Sequence, residues 1–296
     1  MEQKEFRAGF VSIIGKPNVG KSTLMNRLVG ESLSIVSPKE QTTRHRIMGI
    51  INGPDHQIVY SDTPGMLEPK YTLHEAMMNY VKVSLQDADL ILLIVDLNDK
   101  YVPSIFDKFK KIETPIILVL NKTDLSKGSQ AYDKMLYWKE QFSENIKDYL
   151  EISALAGTNV DNLLQTIINY LPIHPPYFPQ DELTNRPERF FASEMIRESI
   201  FLNYEQEVPY STEVVVTEFM EEPDIIRIRG EIYVERDSQK GIIIGKGGST
   251  LKKVGQQSRE AMEAFFKKKV FLETYVKVAK NWRKEKSHLK HFGYLE

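Results

Sequence analysis

The residue types that can do chemistry gather first at Gly15-Lys16-Pro17-Asn18-Val19-Gly20-Lys21-Ser22, which fits the pattern G-x-x-x-x-G-K-S/T. Such a loop needs a strand before it and a helix after it. Its glycines let backbone N–H groups curl around a β-phosphate, and the helix turns its positive end toward the same phosphates. Lys21 then reaches the β- and γ-phosphates, and the Ser22 hydroxyl ligates Mg²⁺. Gly15, Asn18, Val19, Gly20, Lys21, Ser22 and Thr23 are the expected nucleotide contacts of this loop. Asp62-Thr63-Pro64-Gly65 adds an acid that can hold the Mg²⁺ through water and a glycine whose N–H can sense the γ-phosphate. Asn121-Lys122-Thr123-Asp124 adds a carboxylate able to accept two hydrogen bonds, from N1 and N2 of guanine, which adenine does not offer. Asn121 fits beside the base, and the stem of Lys122 can cover its face. Ser153-Ala154-Leu155 would close over the base with a backbone N–H. An aspartate in a loop is weak evidence alone; after the two earlier segments it points to guanine.

A second glycine-rich stretch, Gly241-Ile242-Ile243-Ile244-Gly245-Lys246-Gly247-Gly248, lacks that pattern. It contains G-x-x-G, read as Gly245 to Gly248, between a short apolar helix and a longer one. The arrangement resembles a KH domain, in which a tight loop clamps the backbone of single-stranded nucleotides. Gly241, Ile242, Ile244, Gly245, Lys246, Gly247, Gly248 and Lys252 are the expected RNA contacts. Ile242, Ile243 and Ile244 together would form the apolar side of a groove for unstacked bases. From Lys267 to Lys290 there are nine basic residues and two acidic ones, Glu273 and Glu285. Tyr275 and Trp282 lie among them, placed to stack on bases while the cations track phosphates.

These loops need elements to hold them. Strands are expected at Phe10–Ile14, Ile47–Ile51, Gln57–Ser61, Leu90–Val95, Ile116–Leu120 and Leu150–Ser153. Helices are expected at about Ser22–Leu28, Leu73–Leu85, Phe106–Lys111, Tyr132–Ser143 and Val160–Tyr170. That alternation implies a mostly parallel sheet covered on both faces. The prolines of Leu171 to Pro179 exclude regular structure there and mark a boundary. Beyond it come a helix at about Glu188–Tyr204, strands at Thr212–Glu218 and Ile225–Glu235, a helix at Ser249–Lys267 and a strand at Val270–Val278. With the short apolar segment Gly241–Ile244, the order is helix–strand–strand–helix–helix–strand, which resembles the type II KH fold.

At 296 residues the chain has room for two domains, at roughly 100–200 residues each. Its 41% apolar and 27% charged content excludes wholesale disorder. The net charge of −2 argues against a nucleic-acid binder only if it is spread evenly, and the basic Lys267–Lys290 segment shows that it is not. There is no cysteine, which excludes disulfides, thiolate catalysis and cysteine metal sites. Met1-Glu2-Gln3-Lys4-Glu5 is too charged to open a secretory signal, and the apolar run Leu90–Val95 is far short of the ~20 residues that span a bilayer. His45, His56 and His74 lack metal-ligand spacing.

The nucleotide motifs together resemble a translation-factor-type GTPase domain. With Gln41-Thr42-Thr43-Arg44-His45-Arg46 between the first loop and the second strand, the chain resembles the Era family more closely. The resemblance covers the whole chain. It implies an α/β P-loop GTPase domain over 1–171, a proline-rich linker over 172–187, and an α+β type II KH domain with a basic C-terminal extension over 188–296. It also implies that Thr43 is the switch I ligand of Mg²⁺, with Thr42 its neighbour. Lys21, Thr43 and Gly65 are then the catalytic set, and Ser22, Thr43 and, through water, Asp62 the metal set. GTP and GDP with Mg²⁺ are the implied ligands. The implied partner is the 3′ end of 16S rRNA in the small ribosomal subunit, and the implied role a GTP-regulated checkpoint in its late assembly. A cytoplasmic monomer is expected, with peripheral contact at the inner face of the cell membrane as a secondary expectation. Met66 departs from simple small GTPases, which carry glutamine there, and agrees with the Era type. Lacking an amide to orient water, it implies slow intrinsic hydrolysis, with the water held by backbone groups, a cation or a partner. The alternatives are a Der-like GTPase, which commonly carries two GTPase domains, an ATP-using P-loop protein, and an RNA-binding scaffold whose GTP is structural.

Overall fold

The computed structural model describes residues 5–142 and 146–295. The charged start Met1–Lys4 and the expected helix end at Ser143 lie outside the described residues. The chain forms two compact units. One comprises Met1–Ser34, Thr43–Glu68 and Met78–Asn185; the other comprises Ile35–Thr42, Pro69–Met77 and Arg186–Glu296.

The first unit is built on a six-stranded sheet. Its elements in chain order are β1 (Arg7–Gly15), α1 (Lys21–Val29), β2 (Ile47–Asn52), β3 (His56–Asp62), the greater part of α2 (Thr72–Asp87), β4 (Leu90–Asp96), α3 (Pro103–Phe106), β5 (Ile116–Asn121), α4 (Gln130–Gln141), β6 (Ile146–Glu151) and α5 (Val160–Tyr170). Strand order is β2-β3-β1-β4-β5-β6, parallel except for the edge pair β2-β3. In β5 all six residues are buried, and in β4 all but Asp96, as expected for strands covered on both faces. Phe106, Trp138 and Phe142 pack with Leu93, Leu118 and Met66 on one side of this sheet.

Two elements differ from their expected form. The helix expected at Phe106–Lys111 is split, with α3 ending at Phe106 and a 3₁₀ turn over Asp107–Lys111. Pro103 starts the α-helix earlier, because its missing N–H costs nothing in the first turn. The strand expected at Leu150–Ser153 lies earlier, at Ile146–Glu151. It is an edge strand with no fully buried residue, so it lacks the apolar run that reveals β4 and β5. The proline-rich segment folds onto the same unit. Ala8 donates to Pro172 O at 3.1 Å, and the wholly buried Gln57 accepts from the N–H groups of Tyr177 and Phe178 at 2.7 and 3.0 Å.

The second unit contains α6 (Glu188–Asn203), β7 (Glu213–Glu221), β8 (Ile225–Val234), α7 (Asp237–Ile244), α8 (Ser249–Phe266), β9 (Lys269–Val278) and α9 (Lys286–His291). β8 is central, antiparallel to β7 and parallel to β9. Along β8, Ile226, Ile228, Ile232 and Val234 face inward onto Ile196, Ile200, Val254 and Met262 of the helices. Arg227, Arg229, Glu231 and Tyr233 alternate with them on the other face. Trp282 is a correction to the stacking expectation. It is fully buried, its Nε1 donates to Ser211 O at 2.8 Å, and Phe292 and Tyr294 flank its ring. A large apolar ring is more stable inside than on a solvated tail. Tyr275, by contrast, is 48% exposed on β9.

Candidate functional site

Strand register carries the motifs of the first unit to one edge of its sheet. Parallel pairing sets Ile13 beside Asp62, Gly15 beside Ile94 and Asp96 beside Asn121. β1 lies between β3 and β4, where the chain order reverses, and ligands of such sheets bind outside the carboxyl ends of the strands at that point. The Gly15–Ser22 loop leaves β1 there and enters α1 at Lys21.

Three oxygen-bearing side chains converge beside the loop. Ser22 Oγ lies 2.9 Å from Thr43 Oγ1 and donates to Asp62 Oδ2 at 2.8 Å. Asp62 is fully buried, and its Oδ1 has no hydrogen-bond partner. Burial pushes the Asp62 carboxyl above its ordinary value, against the opposing pull of Lys21 and the Ser22 hydroxyl. Hard oxygen donors and an orphaned buried carboxylate oxygen fit Mg²⁺. Lys21 is 6% exposed, and its Nζ donates to Lys16 O at 2.8 Å and Gly15 O at 3.2 Å. Burial pulls its pKa down to about 8, with Asp62 and Asp99 opposing. An ammonium so placed gains most from an anion entering the loop.

Gly65 lies close against the same loop. A Cβ at Gly65 would sit 2.6 Å from Pro17 N, so only glycine allows this approach. The next N–H, that of Met66, donates to Gly15 O at 3.0 Å. The Met66 side chain is 2% exposed and packs with Ile14, Val81 and Leu93 in the core. It therefore faces away from any attacking water. Met66→Ala is expected to destabilise the fold by roughly 2–5 kcal/mol. Single-turnover GTP hydrolysis by the folded variant should stay within about tenfold of the parent. A loss of several orders of magnitude in that assay would contradict a packing role.

At the other end of the loop, Asn121 acts as a brace. Its Nδ2 donates to Val19 O at 2.8 Å, and its Oδ1 accepts from Ala154 N at 2.9 Å. A Cβ on Gly20 would lie 2.3 Å from Asn121 Nδ2, which explains glycine there. Asn121 thus ties the phosphate loop to the Ser153–Leu155 segment. Ser153 Oγ donates to Asp124 Oδ1 at 2.5 Å, fixing the carboxylate expected to read the base. Lys122 has a left-handed backbone (φ 64°), and its Nζ pairs with Asp96 Oδ2 at 2.9 Å. An open cavity of about 440 Å³ is lined by Thr23, Asn26, Arg27, Ala154 and Leu155. Sequence reasoning missed two contributors here. Arg27 donates to Ala154 O and Leu155 O, each at 2.6 Å, and so positions the closing segment, while Asp96 anchors Lys122. Neither has a motif; only its place after α1 begins or at the end of β4 hints at it.

In the second unit, Gly245–Gly248 joins α7 to α8. Gly245, Gly247 and Gly248 have φ of 73°, 60° and 78°, positive values that favour glycine. Lys246 and Gly247 are exposed, as are Gly241 on α7 and Lys252 on α8. Ile242 is 51% exposed and Ile244 half-buried. Ile243 corrects the expectation of a three-isoleucine groove. It is fully buried in the core of its unit, because helical geometry turns it about 100° from each neighbour.

Comparison with known proteins agrees with this geometry. Residues 10–122 match the family model of the 50S ribosome-binding GTPases, and residues 207–283 that of the KH domain. GTPase Era of Geobacter sp. strain M21 is 46% identical over 298 residues, covering 99% of this chain and all of the relative. GTPase Era of Staphylococcus haemolyticus is 43% identical over 299 residues, covering 99% of this chain and 98% of the relative. A crystal structure of Era in complex with MgGDPNP and nucleotides 1506–1542 of 16S ribosomal RNA is 39% identical. It superposes with a TM-score of 0.94 over 98% of this chain and all of that one. A variant of Aquifex aeolicus Era bound to GDP·AlF4⁻ is 37% identical, with the same TM-score and coverage. A P-loop joined to a guanine-reading loop in one unit, and a glycine clamp in the other, are thus one inherited arrangement: the chain belongs to the Era family of GTPases, which hydrolyse GTP with Mg²⁺.

Proposed function

We propose that this GTPase binds the 3′ end of 16S rRNA and gates late assembly of the small ribosomal subunit. The observation that carries the reading is the 0.94 TM-score to an Era that holds that rRNA segment, together with the exposed Gly245–Gly248 loop here. In the nucleotide site, Lys21 and the loop amides hold the β- and γ-phosphates, and the Gly65 N–H reports the γ-phosphate. Ser22, Thr43 and, through water, Asp62 would hold Mg²⁺, which neutralises charge developing on the phosphates. Asp124 reads guanine N1 and N2. The Met66 side chain contributes no donor, so intrinsic hydrolysis is slow and the attacking water is held by other groups.

With GTP bound, Thr43 is engaged and the 35–46 segment is ordered; hydrolysis releases it and weakens the hold on RNA. A protein with this role works in the cytoplasm, and we take it to act as a monomer. The exposed Lys280, Lys284, Lys286 and Lys290 support peripheral contact with anionic lipid as a secondary role.

Crosslinking of the GTP-bound protein to rRNA, with bases and residues mapped, tests the reading. Crosslinks joining the Gly241–Lys252 segment to the 3′ end are expected; crosslinks scattered over unrelated rRNA would sink it. Gly65→Ala probes the nucleotide half. Its Cβ would collide with Pro17 in this arrangement. Single-turnover hydrolysis is expected to fall roughly a hundredfold, the scale of losing one backbone donor to a developing charge. GDP affinity should change less than about threefold. An unchanged hydrolysis rate would remove Gly65 from the site.

A further inference from the structure

The second unit contains more than the C-terminal part of the chain, because Ile35–Thr42 belongs to it as well. Those residues run directly into Thr43. They are held by one face of α6, on which Glu194, Arg197, Glu198 and Phe201 recur at helical spacing. Val36 N donates to Glu198 Oε1 at 3.3 Å. Arg197 is 1% exposed, grips Glu194 through two contacts of 2.8 and 2.7 Å, and also donates from Nη2 to Thr42 O. Lys39 Nζ donates to Phe201 O at 2.5 Å and to Tyr204 O. The last carbonyls of a helix have no partner within it and sit at its negative end. Lys39 therefore caps α6 from the segment that leads to Thr43.

Tyr204 has a second bond. Its ring is buried, and its hydroxyl donates to Ile243 O at 2.6 Å. Ile243 lies in the last turn of α7, two residues before Gly245. One residue is thus tied through its carbonyl to Lys39 and through its phenol to the helix that ends in the glycine clamp. Burial raises the phenol to about 12, so it stays a donor through the neutral range.

We infer that Tyr204 is a positioning residue that couples the 35–42 segment to the Gly245–Gly248 clamp. The inference rests on the proposed ordering of that segment by GTP. The two-state element is the last turn of α6. With 35–42 folded on α6, Lys39 satisfies the carbonyls and the turn is held, so the phenol fixes the end of α7. When the segment leaves, those carbonyls lose their cap, the turn frays, and the clamp loses its anchor. Arg197 strengthens the state with 35–42 folded on α6 by holding Thr42, next to the residue expected on Mg²⁺. The element, not distance alone, is what both ligands would bias.

The test uses the full chain, a labelled single-stranded RNA with the 3′-end sequence of 16S rRNA, and saturating GDPNP or GDP. The readout is the ratio of RNA affinities in the two nucleotide states. For the parent a ratio of about tenfold is expected, within the ordinary range of allosteric coupling. Lys39→Met and Tyr204→Phe should each bring it to within about twofold of unity, and the double variant should lower it no further. Tyr204→Phe keeps the ring and its packing, and should leave GDP affinity unchanged. A purely structural defect would weaken RNA binding in both states and leave the ratio alone, which would overturn the proposal. Tyr204→Phe with the parent's ratio, while Lys39→Met loses it, would also overturn it and leave GTP-dependent RNA binding standing. A parent ratio of one would instead overturn that underlying reading, and this inference with it. Hydrogen exchange gives a second measure. The Gly245–Thr250 amides should exchange faster in Lys39→Met than in the parent with GDPNP, and equal rates would count against the relay.

Discussion

Replacing Asp124 by asparagine is expected to move base preference from guanine to xanthine. Guanine presents two donors, N1–H and the N2 amino group, to a carboxylate that accepts both. Ser153 Oγ holds Oδ1 of that carboxylate at 2.5 Å, so its orientation is set before the base arrives. In Asp124→Asn the side-chain oxygen can keep the Ser153 hydroxyl and still accept from N1–H. The amide nitrogen then occupies the other position and meets the guanine amino group donor to donor. Xanthine has a carbonyl at that carbon and accepts instead. Losing one hydrogen bond to a charged acceptor costs about 1.5–3 kcal/mol, and leaving the guanine amino group facing another donor costs about 1–3 more, so GTP affinity should fall roughly 10²- to 10⁴-fold. Xanthosine triphosphate should bind correspondingly better and be hydrolysed at close to the parent's rate on GTP, because the phosphate contacts are untouched. Competition against a fluorescent nucleotide measures both. A loss of GTP binding with no gain for xanthine would mean that Asp124 serves only to hold Ser153.

The second large effect is expected at the glycine clamp. Gly247 has φ 60° and ψ 23°, a conformation that aspartate tolerates better than most residues, and a Cβ there meets nothing within 4 Å. Lys246 is exposed. The pair Lys246→Asp and Gly247→Asp therefore adds negative charge to the loop with no clash against neighbouring atoms, at a backbone cost of roughly 1–2 kcal/mol for aspartate at the positive φ of position 247. RNA affinity should fall by about a hundredfold or more at low salt, and the steepness of its salt dependence should decrease by about one phosphate contact. GTP affinity and phosphate release without RNA should stay within about twofold. Equal RNA affinity in parent and variant would show that the strand is gripped elsewhere, for instance along the exposed lysines of α8.

Much of the nucleotide site was legible in the residues because its chemistry is local. A loop that wraps phosphates must supply its glycines, lysine and serine within eight positions, so the spacing carries the function. Strands β4 and β5 were equally legible, since burial on both faces leaves an unbroken apolar run. β6 was not: as a half-exposed edge strand it shows no such run, and pairing with β5 alone sets its limits. Side-chain fate was harder still. Ile243 and Trp282 have the composition of a nucleic-acid surface, yet both lie in the core, because which face of an element is inward depends on what packs against it.

By itself, then, the sequence determined the guanine nucleotide, the order of the two domains and the presence of a glycine clamp, all of which are written in contiguous segments. The tertiary structure decided the rest. Packing brought Ser22, Thr43 and Asp62 together from three separate segments, used Asn121 as a brace rather than a lone base contact, and set Arg27 behind the base-closing loop. It also assigned Ile35–Thr42 to the unit that holds the clamp. Such contacts join residues from 21 to 162 positions apart, and no local pattern records them, because their free energy arises only when the chain has closed those loops.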